Sequence, residues 1–211
     1  MRRLPHCAGL LLLLLLAGCS QDQGRDFARY YDEQGLFTLN LPAANDIVVT
    51  PPQVGDGGPG LLTGVVSSPP APSPSPAAGA TAFDLGATTE PDQTVYQALA
   101  VTSEEFEDLD EMALFFLEAD PVVDVVFNDR ADMGGTDGRL IVADIRNGEE
   151  VTASLAVAMT LGDGETGYLI VAIFPPGGWE DEQGDFERIV SSFRSDVPPG
   201  LTTFPVSGQA S

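Results

Sequence analysis

The order of apolar periodicities along the chain predicts an α+β domain: strands, a helix, a three-stranded meander and a closing helix. Three observations carry this. Leu140–Ile145, Val151–Met159 and Tyr168–Phe174 are strand-like runs separated by turn residues. Phe106, Leu109, Ala113, Phe116 and Leu117 recur at helical spacing. Phe186, Ile189, Val190 and Phe193 do so again near the end.

The polar stretch 19–34 reads as a tether, with Tyr30 and Tyr31 near the domain's start. Leu36–Leu41 alternates, putting Phe37, Leu39 and Leu41 on one face of a half-buried strand that Pro42 ends. Ile47-Val48-Val49 reads as a second short strand, stopped by Pro51-Pro52. Residues 67–80, rich in Pro, Ser and Ala, have no large apolar side chain and form an extended solvated segment. Residues 35–66 are too few and too broken by Gly and Pro to fold alone, so 67–80 is a loop inserted within one domain.

Thr81–Ala87 and Thr94–Val101 read as strands. In the second, Val95, Gln97, Leu99 and Val101 share one face, and Tyr96, Ala98 and Ala100 the other. Thr102 or Ser103 then caps a helix running to about Ala119, with acids in its first turn and on its outer face. The acidic stretches around Asp120–Asp124 and Asp129–Asp137 read as solvated loops. Asn147-Gly148 is a hairpin signature, and Gly162–Glu165 closes a second hairpin. The unbroken apolar run Tyr168–Phe174 requires a central strand covered on both faces, and Pro175-Pro176-Gly177-Gly178 ends it. A last helix spans Trp179 or Glu180 to Phe193, and the residues after 195 read as a flexible tail, 196–211.

The first 18 residues have the features of an export signal: basic Arg2 and Arg3, the apolar run Leu10–Leu16, and small residues before Cys19. The run is shorter than the roughly 20 residues that span a bilayer. Leu16-Ala17-Gly18-Cys19 resembles the lipobox of bacterial lipoproteins. That resemblance implies cleavage before Cys19, a diacylglyceryl thioether on its sulfur and acylation (palmitate or a similar chain) of the new amino terminus. Two or more acyl chains give stable anchoring. The expected location is the extracytoplasmic face of a cell membrane. Ser20 after Cys19 would suit an outer membrane in a cell with two.

Gly35-Leu-Phe-Thr-Leu-Asn-Leu-Pro42, Gly138–Gly148, Tyr168–Pro175 and the ending Ser191-Ser-Phe-Arg194 together resemble the Mog/PsbP-like superfamily, across about 35–195. Ala43-Ala44-Asn45 stands where that family often carries a tryptophan. The resemblance implies an antiparallel sheet flanked by helices, an α/β/α sandwich, serving as an accessory or binding module without a catalytic set.

Beyond residue 18 the chain has no histidine and no lysine, and Cys19 is its one cysteine. Imidazole-based triads, His/Cys zinc sites and lysine chemistry are thereby excluded, and no disulfide forms within the mature chain. Carboxylate-only catalysis and oxygen-ligand metals remain. The formal charge of the whole chain is −23. Such a chain repels nucleic acid and anionic lipid. No acidic cluster has the spacing of a calcium loop. The neighbouring pairs Asp110/Glu111 and Glu149/Glu150 point to different faces and do not converge as acid and base. Trp179 reads as a cap on the core, and Met133-Gly134-Gly135-Thr136 as a turn.

These observations give a membrane-anchored, non-enzymatic lipoprotein with no cofactor, lipidated at Cys19. It is expected to act as an accessory module of an envelope assembly, with a basic envelope protein as its partner across the acidic face Glu104–Glu111. The alternatives are capture of a divalent cation or small ligand, and a carboxylate-based hydrolase.

Overall fold

The computed structural model describes residues 25–53, 59–70, 93–104, 106–118, 123–162 and 165–195. Cys19, the strand expected at Thr81–Ala87, most of the 67–80 loop and the tail 196–211 lie outside them. The described elements are β1 (Phe27–Tyr31), β2 (Thr38–Pro42), β3 (Asp46–Thr50), β4 (Leu61–Ser68), β5 (Val95–Thr102), α1 (Leu109–Glu118), β6 (Val123–Met133), β7 (Thr136–Asn147), β8 (Glu150–Leu161), β9 (Thr166–Phe174) and α2 (Trp179–Ser192).

Seven strands form one antiparallel sheet in the order β3-β4-β5-β9-β8-β7-β6. The apolar run predicted to be central is β9, between β5 and β8, and its residues from Tyr168 to Phe174 are all buried. Alternation then divides the core in two. Tyr168, Ile170, Ala172 and Phe174 face a cluster with Tyr96, Ala98 and the α2 residues Phe186, Ile189 and Val190. Leu169, Val171 and Ile173 face the opposite cluster, with Leu99, Val101, Leu155 and the α1 residues Met112 and Ala113.

The covering layers are unequal, so the molecule is largely sheet rather than a full α/β/α sandwich. On one face α2 shares its layer with the two-stranded sheet β1-β2, whose Phe37, Leu39 and Leu41 enter the same core. On the other face α1 has only 10 residues.

Four sequence expectations are corrected. Residues 27–31 do not belong to a tether: they form β1, paired with β2 from Phe27↔Pro42 to Tyr31↔Thr38. Leu61–Ser68 is a strand, so Ser67 and Ser68, read as the start of the inserted loop, belong to β4 instead. The acidic 123–133 stretch is strand β6 rather than loop, and the meander therefore has four strands. Finally, α1 begins five or six residues later than read. The Phe106 amide donates to the Ser103 carbonyl in a turn, and Asp108 Oδ1 accepts from the amides of Asp110 and Glu111, the bonding of an N-cap.

The β1-β2 layer is held by polar contacts with few exposed alternatives. Asp32 is fully buried. Its Oδ2 accepts from the amides of Gln34 and Leu36, closing the turn into β2, and its Oδ1 accepts from the Thr63 hydroxyl of β4 at 2.8 Å. Arg29 donates to the Ser192 carbonyl at 2.6 Å and to the Thr38 hydroxyl. A cation at the carboxyl end of α2 complements the helix dipole, and burial lowers this guanidinium below its ordinary value. Thr38 and Arg194 exchange backbone bonds of 2.8 and 2.9 Å.

Both turn glycines between β6 and β7 have positive φ, +65° at Gly134 and +98° at Gly135. Only Gly134 also abuts backbone: a Cβ there would lie 1.9 Å from the Phe193 carbonyl oxygen, whereas one on Gly135 meets nothing within 4 Å.

Two outcomes are expected from equilibrium urea unfolding. Asp32→Ala strands two amides and a buried hydroxyl, and should cost about 3 kcal/mol, with Thr63→Val costing less. Gly134→Ala should cost about 2 kcal/mol more than Gly135→Ala, since both bear the φ penalty and only the first must displace the Phe193 backbone.

Candidate binding groove

Six segments meet at the end of the sheet where β9 stops: the residues before β1, the turn after β2, the residues after β4, the start of β5, the turn between β9 and α2, and the first turn of α2. They enclose a groove of ≈ 610 Å³. Pro42, Pro69, Pro175 and Pro176 provide rigid apolar wall, and Asn45, Gln93 and Thr94 provide polar groups. The turn that opens it is tied down twice. Gly178 N–H donates to the Pro175 carbonyl at 2.9 Å, and Gly177 N–H donates to the Ser154 hydroxyl at 3.2 Å.

A clamp of three side chains forms one wall. Arg25 donates to both oxygens of Glu182, at 2.5 and 2.7 Å, and lies 3.3 Å from Asp185. The Tyr96 hydroxyl donates to Glu182 Oε2 at 2.9 Å and accepts from Arg25 at 3.3 Å. The hydrogen bonds to Glu182 raise the Arg25 guanidinium above its ordinary value. Burial, then the Glu182 charge, raises the Tyr96 phenol, so it stays a neutral donor. A bidentate guanidinium–carboxylate pair is the geometrically demanding form of this contact. With Arg25 about half exposed, its worth is modest.

The acids at and beside the groove fall into two groups. Glu182 and Asp185 both face Arg25, an ion-pair arrangement rather than an acid facing a base across a substrate. Asp26 and Asp181 are exposed, and no described arginine pairs with either. Glu180, Asp181 and Glu182 occupy the first turn of α2, where the helix dipole favours negative charge.

Residues singled out from sequence lie elsewhere. Trp179 packs edge-on against Phe174 and Phe186, as a core cap. Three of the acids in Glu104–Glu111 are engaged locally: Asp108 caps α1, Glu111 accepts from the Glu107 amide, and Asp110 pairs with Arg139. Asp124 pairs with Arg146, and Asp132 accepts from the Gly135 amide. Among the described residues no group of three metal-ligating side chains comes together. Arg25, Tyr96 and Glu182 were not found from sequence, since 71 and 86 positions separate Tyr96 from its two partners. The one available signal was the aromatic content of 27–31 (Phe27, Tyr30, Tyr31), which places Arg25 just before a segment rich in strand formers.

Burial also raises the Tyr30 phenol. Both phenols thus keep their protons in the folded chain above pH 10, where unfolded tyrosines lose theirs. Their contribution is complete below the unfolded value of about 10 and is lost as pH rises beyond it. Alkaline titration followed by phenolate absorbance should leave at least Tyr30 and Tyr96 un-ionised until the protein unfolds. Tyr96→Phe should lower the number of protected phenols by one.

No family model matches the sequence, and no curated protein matches it. Among solved structures, the fold is similar to the solution structure of cyanobacterial PsbP (CyanoP) from Synechocystis sp. PCC 6803. The TM-score is 0.51 at 15% identity, covering 85% of this chain and 98% of that one. The domain therefore has a PsbP-like fold.

Proposed function

We propose that this chain is a membrane-anchored, non-enzymatic binding module, accessory to an assembly on the extracytoplasmic side of a membrane. One observation carries the reading: the groove presents shape and charge while its guanidinium, phenol and nearest carboxylate are already bonded to one another. Groups committed to holding a wall together suit recognition better than proton transfer. The PsbP-like fold supports the same reading by analogy, since fold by itself does not fix function. The anchor is the acylated Cys19, and the acidic surface favours a basic protein partner and disfavours nucleic acid.

The test is fractionation of cells fed a labelled fatty acid. The native chain should take up the label and sediment with membranes. Cys19→Ala should lose the label and leave the membrane fraction. In-cell crosslinking should then recover an envelope partner above the Cys19→Ala background. An unlabelled native chain, or a Cys19→Ala chain that still sediments with membranes, would overturn the anchor.

A further inference from the structure

We infer that the groove beside Arg25 faces the membrane and receives an arginine- or lysine-bearing segment of a partner protein held at the same surface. The inference rests on the proposed anchor and names the place and the chemistry of binding.

The position follows from the clamp. If the lipid is on Cys19, six residue steps separate it from Arg25. Six extended residues span at most about 22 Å. Arg25 is fixed to Glu182 and Tyr96, so the tether leaves the folded domain at the groove's own lip. The Gly134–Gly135 turn lies at the other end of β7, a strand of 12 residues and hence about 40 Å long. The domain is thus held by one end, with the groove towards the bilayer and the Gly134 turn away from it.

The chemistry follows from charge and shape. Among the described residues lining the groove Arg25 is the one cation, and Glu182 with Asp185 already engages it. Asp26 and Asp181 add two exposed carboxylates at the rim. Anionic headgroups are repelled by this end, and a cationic side chain is attracted. The proline walls offer rigid apolar surface for the aliphatic stem of an arginine or lysine while its head reaches the rim. A volume of ≈ 610 Å³ is within the range that takes a small ligand or a short peptide segment.

The experiment uses the acylated full chain in phosphatidylcholine vesicles, with a fluorescent peptide of alternating arginine and alanine as the probe. The native chain should bind the peptide more tightly than its glutamine-for-arginine counterpart, and binding should weaken with salt. Asp26→Asn with Asp181→Asn should weaken it at least tenfold. Asp129→Asn with Asp132→Asn, on β6, should leave it unchanged. Equal loss from both pairs, or none from the groove pair, would overturn the proposal.

Orientation is read separately by labelling Ala44→Cys or Thr136→Cys, because acylated Cys19 offers no competing thiol. Quenching by a headgroup-labelled lipid should be strong at position 44 and weak at position 136, and equal quenching would overturn the placement. A chain that never carries lipid fails the anchor instead, and the peptide arm, run on that chain in solution, still decides the groove.

Discussion

Strand β9 has water on neither face, and that constraint organises the domain. A seven-residue run with every side chain buried must have a strand on each side and a layer on each face. The strands are β5 and β8, and the layers are α1 on one face and α2 with β1-β2 on the other. The small residues of β5, β8 and β9 on the α2 face (Ala98, Ala100, Ala156, Ala158, Ala172) leave room for large side chains from the covering layer. Phe37, Phe186 and Phe193 fill that room, and Phe37 and Phe193 stack with ring centroids 6.4 Å apart. Alternating small and large residues across an interface is how a core reaches crystal-like density without strain.

Everything that follows from side-chain period was legible in the chain: β5, β7, β8, β9 and α2, the Asn147-Gly148 turn, and the face assignments of β5. The unread strands β6 and β1 escaped for separate reasons. β6 has mostly exposed residues, including Val125, Val126 and Phe127, and a register shift between Val125 and Phe127 interrupts its alternation. A bulged, charged edge strand resists extension by a neighbouring chain, and the same features hide it from a search for apolar period. β1 is only five residues long, Phe27-Ala-Arg-Tyr-Tyr31, and its aromatics at 27, 30 and 31 follow no period of two, so nothing separates it by pattern from the polar leader before it. The groove was invisible for another reason: its clamp is assembled from the start, the middle and the end of the described chain, and no local spacing records that.

The electrostatics of the two faces differ in kind. Near α1 the carboxylates act as helix caps or pair with arginines of the sheet, which leaves that face less acidic in effect than its composition suggests. Around the groove, one arginine is shared among several acids and the surplus remains exposed. With only nine basic residues in the chain against 32 acidic ones, where each arginine is spent decides where negative potential survives.

The pairing of Thr38 with Arg194 bears on the order in which the domain is made. A ribosome releases Thr38 early and Arg194 last among the paired residues, so the layer begun by β1-β2 cannot close until nearly the whole domain has emerged. Asp32 can reach Thr63 soon after synthesis, but Arg29 must wait for Ser192. Such long-range closure slows folding. Under the proposed export as an unfolded thread, that delay is an advantage: the structure that would jam in transit cannot be completed until the carboxyl end is free.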